Sequence, residues 1–422
     1  MLKGRYFELP IDLPADALAL GRRLRQRPDL AVLLDTSGAT PAYIACDAVG
    51  VSHDFDPEPD LPLDPNALRF PRWIGVLPYE AGRGWERHAV ADARPLPHLV
   101  RPEWRRYDAI IEVTDAVRIL GTDEQSALAL KQHLLEGAEH ASDPVRAIAH
   151  APEEAPGVHL ERIRVALEHI SAGDLYQVNL ARRAEFKLEG CVVDILERLL
   201  ERTDGPFCAA LALSAVDVVA NSPELFLSLD ADGRAASIPI KGTRPRGKTS
   251  EEDVRLKKEL GEDPKEHAEL VMVVDVVRND LGRIAATGSV RVEGGFQVES
   301  FRSVHHRGAR VVAELATWAT REDLFRATLP SGSVTGAPKA RAMELIAQLE
   351  AHRRGIYTGA FGSIHQDGSV RLGMAIRTLT RVRNTGVAHY FAGGGIVADS
   401  VPTQEVEETR WKASHLAALY PS

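Results

Sequence analysis

Four glutamates recur in pairs at a spacing that suits a hard metal ion. Glu266 and Glu269 lie three residues apart, and Glu405 and Glu408 repeat that spacing near the end of the chain. Residues three apart share one face of a helix, so each pair would present two carboxylates together. Two such helices facing each other predict an oxygen-ligand site for a cation such as Mg²⁺, open to substrate oxygens. A solvated acidic face is the alternative for either pair alone.

A single lysine in a basic loop could act as a nucleophile. Lys241 follows the apolar stretch Ile238–Ile240 and precedes the turn residues Gly242 and Thr243. A lysine amine at the mouth of a pocket, partly removed from water, can attack an electrophilic carbon. From this stretch alone, a solvated lysine is the alternative.

Other polar residues lie in or beside predicted strands. Arg377 lies in an apolar run that predicts a strand, where it would either bind a carboxylate or face solvent at a sheet edge. His305 and His306 are adjacent, so in a strand they point to opposite faces, one towards a site and the other towards solvent. Glu224 follows a predicted strand and could be a general acid or base, or an ordinary surface residue.

Two glycine-containing stretches could bring backbone amides to a ligand. Residues 330–339 form a loop before a predicted helix, where amides could hold an anion or merely cap the helix. It is not a Walker A loop, because no lysine directly follows the second glycine. Gly393, Gly394 and Gly395 end a predicted strand, and they allow either close approach of a ligand or a bulge.

Composition limits the classes of partner. The chain of 422 residues carries a net charge of -9, which gives no overall basic balance for nucleic acid or an anionic membrane. An anionic substrate would therefore need local cations. The three cysteines form no CxxC pair, which argues against a disulfide framework and a zinc site built from cysteines, and favours a reducing cytoplasm. No signal peptide and no stretch long enough to span a bilayer is recognised.

Periodicity places these residues on short strands separated by helices. Helical spacing predicts helices at 124–140, 159–172, 191–202, 250–260, 265–277, 338–349 and 404–419. Apolar runs predict strands at 31–35, 42–46, 73–79, 109–114, 117–120, 175–180, 207–213, 216–220, 225–229, 357–364, 370–380 and 387–392. Runs of strands with few crossover helices favour an antiparallel α+β fold. Residues 141–157 are interpreted as a linker, which divides the chain into an N-terminal region, 1–150, and a catalytic region, 151–422.

Taken together, these stretches resemble the chorismate-utilising enzymes. The resemblance covers most of residues 160–418 and is carried by Asp174–Leu180, Ser222–Glu224, Pro239–Thr243, Glu266–Leu281, Gly332–Lys339, Gly395–Ser400 and Glu405–Thr409. The joint presence of these motifs in this order is highly specific, whereas the N-terminal region is a weaker match. The resemblance implies an α+β fold of two antiparallel sheets packed together with outer helices.

The resemblance also implies a role for each candidate residue. The family's Mg²⁺ ligands match Glu266, Glu269, Glu405 and Glu408, and the ion holds the ring carboxylate of chorismate. The remaining substrate-binding positions match Gly242, Thr243, Tyr357, Arg377, Gly393, Gly394 and Gly395, with Tyr357 and Arg377 at the enolpyruvyl carboxylate. Gln177 stands where isochorismate and salicylate synthases, which resemble the chain, carry a lysine that activates water.

Lys241 bears on the product, because the anthranilate branch of the family has alanine at this position. In the aminodeoxychorismate branch the lysine is taken to attack C2, Glu224 matches the acid that protonates the leaving C4 hydroxyl, and ammonia then displaces the lysine. His306 matches a histidine that the anthranilate branch uses in pyruvate elimination. The resemblance thus implies formation of 4-amino-4-deoxychorismate, for p-aminobenzoate and folate synthesis. Anthranilate synthesis and a catalytically silent binding subunit are the alternatives, and Lys241 could be a covalent nucleophile or a positioned cation.

Ammonia needs a source outside the predicted site. Cys46, Cys191 and Cys208 lack the nucleophile-elbow setting of a glutaminase cysteine. The chain is therefore expected to work with a separate glutamine amidotransferase subunit, and with a separate lyase that releases pyruvate. No nucleic-acid or membrane partner is expected.

Overall fold

Two antiparallel sheets form the centre of the fold. In the computed structural model the described residues are 7–38, 40–57, 70–85, 92–137, 144–149, 154–203, 205–302 and 304–420. The strands are β1 (Phe7–Ile11), β2 (Ala31–Asp35), β3 (Ala42–Ala45), β4 (Gly50–Ser52), β5 (Pro71–Leu77), β6 (Glu103–Arg106), β7 (Ala109–Val113), β8 (Val117–Gly121), β9 (Arg146–Ala149), β10 (Gln177–Glu189), β11 (Phe207–Ala212), β12 (Val216–Ser222), β13 (Leu225–Leu229), β14 (Arg234–Ile238), β15 (Ile240–Pro245), β16 (Arg291–Ser300), β17 (Val304–Glu314), β18 (Gly336–Ala337), β19 (Ala360–His365), β20 (Val370–Met374), β21 (Thr378–Val382) and β22 (Val387–Ile396).

Helices lie outside the sheets. They are α1 (Ala17–Arg23), α2 (Tyr79–Arg83), α3 (Glu124–Glu136), α4 (Pro156–Ser171), α5 (Val192–Leu200), α6 (Ser250–Glu262), α7 (Pro264–Gly282), α8 (Arg321–Thr328), α9 (Gly332–Thr335), α10 (Lys339–Leu349) and α11 (Pro402–Ala413), followed by a 3₁₀ turn at Ser414–Leu419. None of the helices in the described part of the chain is long and apolar enough to cross a membrane.

The strand order mixes early and late parts of the chain. The larger sheet, of 12 strands, runs β1-β8-β7-β3-β2-β11-β12-β21-β22-β10-β18, with β9 also paired to β10. The smaller sheet, of 10 strands, runs β15-β17-β14-β13-β20-β19-β5-β6-β4, with β16 also paired to β17. The N-terminal strands thus form one end of each sheet, joined by β2 to β11 and by β5 to β19.

Successive residues of a strand point to opposite faces of its sheet and so contribute to different hydrophobic cores. In β2, Val32 contributes to the core beneath α1, α3 and α5, whereas its neighbour Ala31 contributes to the core between the two sheets. Ile44 and Tyr43 divide in the same way in β3, as the two-residue repeat of a strand requires. A third core joins the outer face of the smaller sheet to α7 and α8. The predicted α+β fold of two packed antiparallel sheets with outer helices is confirmed.

Two local predictions are wrong, and the second also changes the placement of Arg377. The predicted linker at 141–157 contains β9, which pairs with β10, and begins α4, while 141–143 and 150–153 lie outside the described residues. The predicted strand at 370–380 is two strands in different sheets, because β20 ends at Met374 and β21 begins at Thr378. Arg377 therefore lies in the connection between the sheets, with a positive φ of 49°. The division into 1–150 and 151–422 stays a prediction, although both sheets contain strands from both parts.

Candidate active site

The first carboxylate pair lies on α7. This helix begins with Pro264 after the N-cap Asp263, whose carboxylate accepts from the backbone N–H groups of Lys265 and Glu266. The apolar face of the helix packs into the core beneath the smaller sheet, which leaves Glu266 and Glu269 on a cavity-lining face. Burial, and next the charge of Glu269, raise the pKa of Glu266.

The second pair lies on α11, which packs against β22. Ser400 Oγ donates to Glu405 Oε1 at 2.7 Å. This hydrogen bond lowers the pKa of Glu405, but burial has the larger effect, so that the pKa is raised above its ordinary value. Partial burial also acts to raise the pKa of Glu408, but the ammonium of Lys412, 2.6 Å from Glu408 Oε1, brings it below its ordinary value. Both glutamates line the same cavity as the α7 pair.

The four carboxylates are chemically suited to a hard divalent cation. All four offer oxygen ligands to one cavity, and like charges on each helix disfavour ionisation without a cation. In the described part of the chain, no three of these four glutamates bring their carboxylate oxygens within 4.8 Å of one another. Lys265, 3.9 Å from Glu269 Oε1, and Lys412 offset part of the negative charge in this arrangement.

Lys241 extends into this cavity from β15. Its Nζ is 4.0 Å from Glu269 Oε2, and its side chain is 16% exposed. An added Cβ on Gly395 would lie 3.3 Å from Nζ, so the lysine amine reaches the glycine strand β22 on the far side of the cavity. The amine thus lies between a carboxylate of α7 and the backbone of β22.

Glu224 is the most deeply buried carboxylate of the cavity. It follows β12, is 5% exposed and accepts from Ser333 Oγ at 3.1 Å. Burial raises its pKa to about 7, while the Ser333 hydroxyl and the charge of Lys241 act in the opposite direction. A carboxyl group with this pKa can hold a proton near neutral pH and deliver it, which is what a general acid must do.

The two adjacent histidines on β17 have different partners. His306 is buried, lines the cavity and has its Nδ1 2.9 Å from Thr243 Oγ1. His305 points the other way, as expected, but the prediction that it faces solvent is wrong. It is buried, with Nδ1 2.9 Å from Ser300 Oγ and Nε2 3.1 Å from Asp253 Oδ1.

Tyr357 and Arg377 line the same cavity although they come from different connections. Tyr357 precedes β19, is buried and stacks on Phe391 with ring centroids 5.2 Å apart. Arg377 is half-buried in the connection from β20 to β21, and its carbonyl accepts from Asn221 N. A guanidinium and a phenol thus lie on the cavity wall, and both are groups that can bind a carboxylate.

Glycines keep the cavity open. A Cβ on Gly393 would come within 2.6 Å of Asn179 Oδ1 and 2.7 Å of Tyr357 Oη, so any other residue there would force these side chains to move. Gly242 has a φ of +84°, and a Cβ there would lie 3.0 Å from Glu266 Oε2. Glycine at these positions therefore lets β15 and β22 approach the functional side chains closely.

The structure brings nearly all predicted site residues to one cavity of ≈ 450 Å³. Those on its wall are Glu224, Lys241, Gly242, Thr243, Glu266, Glu269, His306, Tyr357, Arg377, Gly393, Gly395, Glu405 and Glu408. Gln177 and Gly394 are not on the wall. Gln177 is buried, and its side-chain amide would lie 3.4 Å from a Cβ added to Gly395; a Cβ on Gly394 would lie 3.3 Å from Glu405 Oε2.

Sequence reasoning missed several cavity residues. Lys265 and Lys412 each lie four residues from a predicted ligand, a spacing that pairs opposite charges on a helix and could have indicated them. Arg244, 3.5 Å from Glu266 Oε1, lies in the basic loop of Lys241. Ser333 belongs to the loop 330–339 and donates its hydroxyl to Glu224, whereas binding of an anion by backbone amides of this loop stays a prediction.

The fold and this cavity define the class of protein. Residues 45–418 match the family described as chorismate binding enzyme, so the chain belongs to that family. The resemblance noted from the motifs is thereby confirmed at the level of the family.

Named relatives divide between two activities. The chain is 44% identical over 255 residues to anthranilate synthase component 1 of Aquifex aeolicus, covering 60% of this chain and 51% of that protein. It is 34% identical over 374 residues to aminodeoxychorismate synthase component 1 of Salmonella typhimurium, covering 86% and 78%. The chain thus spans about half the length of the first relative. The crystal structure of anthranilate synthase component I from Streptococcus pneumoniae matches with a TM-score of 0.70 and 26% identity, covering 99% of this chain and 93% of that one.

Proposed function

We propose that the protein converts chorismate and ammonia into 4-amino-4-deoxychorismate. The observation that carries the proposal is Lys241, whose amine lies in the cavity 4.0 Å from Glu269 Oε2 and close to Gly395. The motif around this position has alanine in the anthranilate branch, which would leave no nucleophile there. The name of the Salmonella relative supports the same activity.

A dianionic substrate suits this cavity despite the net charge of -9. Arg377 and Tyr357 would hold the enolpyruvyl carboxylate, and the backbone around Gly393 to Gly395, of which Gly393 and Gly395 line the cavity, would support the ring carboxylate. Glu266, Glu269, Glu405 and Glu408 would hold Mg²⁺, which supplies electrostatic attraction for the ring carboxylate when bound. The bulk charge of the protein therefore does not oppose binding, because local groups set the potential in the cavity.

The proposed reaction has two displacements. After the Lys241 ammonium group has released a proton to solvent, its amine attacks C2, the ring double bonds shift, and the C4–O bond breaks while Glu224 gives its proton to the oxygen, so that water leaves. Ammonia then attacks C4, the double bonds shift back, and the bond from C2 to the lysine nitrogen breaks. Proton transfer to Glu224 restores the acid, and the net change is loss of water and gain of ammonia.

The environment of Glu224 fits its proposed role. A pKa of about 7 leaves a large fraction of the carboxyl group protonated at neutral pH, as the first displacement requires. The Ser333 hydroxyl holds one carboxyl oxygen, so the other oxygen is available for the leaving group.

The proposal includes a partner and a pathway. The component 1 names of the relatives fit a multi-subunit enzyme, and we propose that a separate glutamine amidotransferase supplies ammonia in the cytoplasm. The product would serve p-aminobenzoate and folate synthesis after a separate lyase releases pyruvate.

Anthranilate formation is the second candidate. His306 lies on the cavity wall with its Nδ1 held by Thr243, and it matches a histidine used for pyruvate elimination in the anthranilate branch. If His306 acted in that way here, the protein would release pyruvate without needing Lys241.

One assay separates these functions. The protein is incubated with chorismate, Mg²⁺ and an ammonium salt, and the products are identified by mass. We expect 4-amino-4-deoxychorismate from the wild type and from Lys248→Ala, a control at an exposed lysine just after β15, and none from Lys241→Ala. Anthranilate with pyruvate would overturn the proposal, and absence of any product would indicate a silent binding subunit. A chorismate-derived adduct on the Lys241 peptide would show that the lysine acts covalently.

A further inference from the structure

A group of metal-binding side chains lies in the N-terminal region, outside the chorismate cavity. Cys46, Asp47 and His133 each offer one ligand atom, and the three atoms lie within 4.8 Å of one another. Asp47 Oδ2 is 3.1 Å from Cys46 Sγ and 3.2 Å from His133 Nδ1. Within the described ranges, no other three histidine, cysteine, aspartate or glutamate residues come together so closely.

The backbone after β3 brings the first two side chains together. Neighbouring residues of a strand normally point to opposite faces. Asp47 instead has a positive φ of 56°, an unusual conformation that aspartate tolerates better than most residues. Its N–H donates to the Pro28 carbonyl at 2.9 Å, which fixes the turn. The Cys46 thiol and the Asp47 carboxylate consequently converge.

Helix α3 supplies the third side chain. Asp123 caps this helix by accepting from Ser126 N, and Ala127, Leu130 and Leu134 pack into the core beneath the larger sheet. That packing holds His133, in the last turn, above the end of β3. Asp47 and His133 have side chains 28% and 27% exposed, so a cation could enter from solvent and keep a water ligand.

The donor set differs from that of the chorismate cavity. A thiolate, an imidazole nitrogen and a carboxylate suit a borderline-soft cation that takes four ligands, whereas four carboxylates suit Mg²⁺. We propose that Cys46, Asp47 and His133 bind a divalent cation of the zinc class, with water as the fourth ligand. On binding, the Cys46 thiol releases its proton to solvent as the sulfur–metal bond forms.

Arg27 is the competitor for this site. Its Nε is 2.9 Å from Asp47 Oδ2 and its Nη2 is 2.9 Å from Asp47 Oδ1, so the guanidinium holds both carboxylate oxygens. The Arg27 side chain is 39% exposed and can turn towards solvent when a cation takes its place. The bound cation would then tie α3 to the end of β3 and stabilise the folded chain by mass action.

Cobalt(II) provides the test, because a cobalt–thiolate bond gives a near-ultraviolet charge-transfer band that carboxylate ligands do not. One equivalent of Co²⁺ is added to the full chain, with excess Mg²⁺ to compete for the active-site glutamates. We expect the band in the wild type, its displacement by Zn²⁺, and its loss in Cys46→Ser and His133→Gln. Cys191→Ser, which removes a half-buried thiol elsewhere, should keep it.

Arg27→Ala distinguishes a metal site from a simple ion-pair cluster. Removing the Arg27 guanidinium should lower the Co²⁺ concentration at half-saturation by roughly two- to fivefold, because an exposed ion pair contributes a free energy of this size. Absence of the band in the wild type, or its persistence in His133→Gln, would overturn the proposal. His133 is partly exposed, so that variant should fold even if Cys46→Ser does not. Chorismate turnover plays no part in the readout, so the result is independent of the proposed function.

Discussion

Glutamate appears in two contrasting settings within one cavity. Glu224, which follows β12, is buried and does not share a helix face with a second glutamate; Ser333 donates a hydroxyl to it, and its pKa is raised to about 7. The glutamates of α7 and α11 occur in pairs and have ammonium groups of Lys265 and Lys412 beside them. The first setting favours the protonated carboxyl group, whereas the second keeps charged carboxylates together at the cost of mutual repulsion.

The contrast shows how one side chain can serve two kinds of chemistry. Desolvation that outweighs the nearby charge of Lys241 keeps a proton on Glu224 for transfer, because the ionised form is penalised. Paired carboxylates with nearby cations keep oxygens ready for a metal ion, which would relieve their repulsion. Burial and neighbours, and not residue type, therefore separate the proposed acid from the proposed ligands.

The largest expected effect tests the acid. Glu224→Gln keeps the shape of the side chain but has no proton to give, so turnover of chorismate should fall about 10²- to 10⁴-fold. In the wild type, activity should fall as the pH rises through about 7, because the acid loses its proton, and the variant should lack this decline. Rates measured from pH 5.5 to 9, roughly spanning that pKa, provide the check. An unchanged rate would remove Glu224 from the mechanism.

The same substitution should change stability in the opposite direction. The Glu224 pKa is raised from 4.5 to about 7 in the folded protein, so ionising the buried carboxylate weakens folding as the pH rises through that window. The difference corresponds to about 3 kcal/mol. The difference in free energy of unfolding between Glu224→Gln and the wild type should therefore grow in favour of the variant as the pH rises from 4.5 to about 7, by up to about 3 kcal/mol. Denaturant unfolding at both ends of the window measures it, and a constant difference would contradict the burial argument.

A smaller effect is expected at the other setting. Ser400→Ala removes the hydroxyl that donates to Glu405 Oε1 at 2.7 Å, which leaves this proposed ligand less well oriented. The Mg²⁺ concentration for half-maximal activity should rise about 10- to 100-fold, as for other groups that orient a ligand. The rate at saturating Mg²⁺ should stay near that of the wild type.

Ser333→Ala is the matched control, because this serine makes the equivalent contact to Glu224. Its hydroxyl lowers the pKa of Glu224, so its loss should move the decline in activity to higher pH. The Mg²⁺ requirement should not change. If the two serine variants behaved alike, the proposed division between acid and ligands would be wrong.

Local sequence patterns predicted much of the fold and of the site. The i, i+3 spacing correctly placed Glu266 with Glu269 and Glu405 with Glu408 on helices, because helical geometry is set by near neighbours. Strands such as β2 and β11 followed from apolar runs for the same reason. The motifs then indicated which distant residues should share a cavity.

Long-range and strained features could not be read in this way. Strands β2 and β11 are paired but lie far apart in the sequence, so the residues around either strand do not indicate its partner. Arg377 has apolar neighbours typical of a strand, yet its positive φ turns the chain from one sheet to the other. The convergence of Cys46, Asp47 and His133 also depends on a backbone turn, and its ligand spacing matches no familiar zinc motif.

The pairing of β5 with β19 has a consequence for synthesis of the chain. All of β5 is buried, and Trp73 in this strand pairs with Ile364, 291 positions later. At a translation rate of roughly 5 to 20 residues per second, β5 would wait roughly 15 to 60 s for that partner to be made. An apolar strand with one unpaired edge attracts other chains during such a delay. The topology that assembles the cavity therefore makes the newly made N-terminal half a natural client for chaperones.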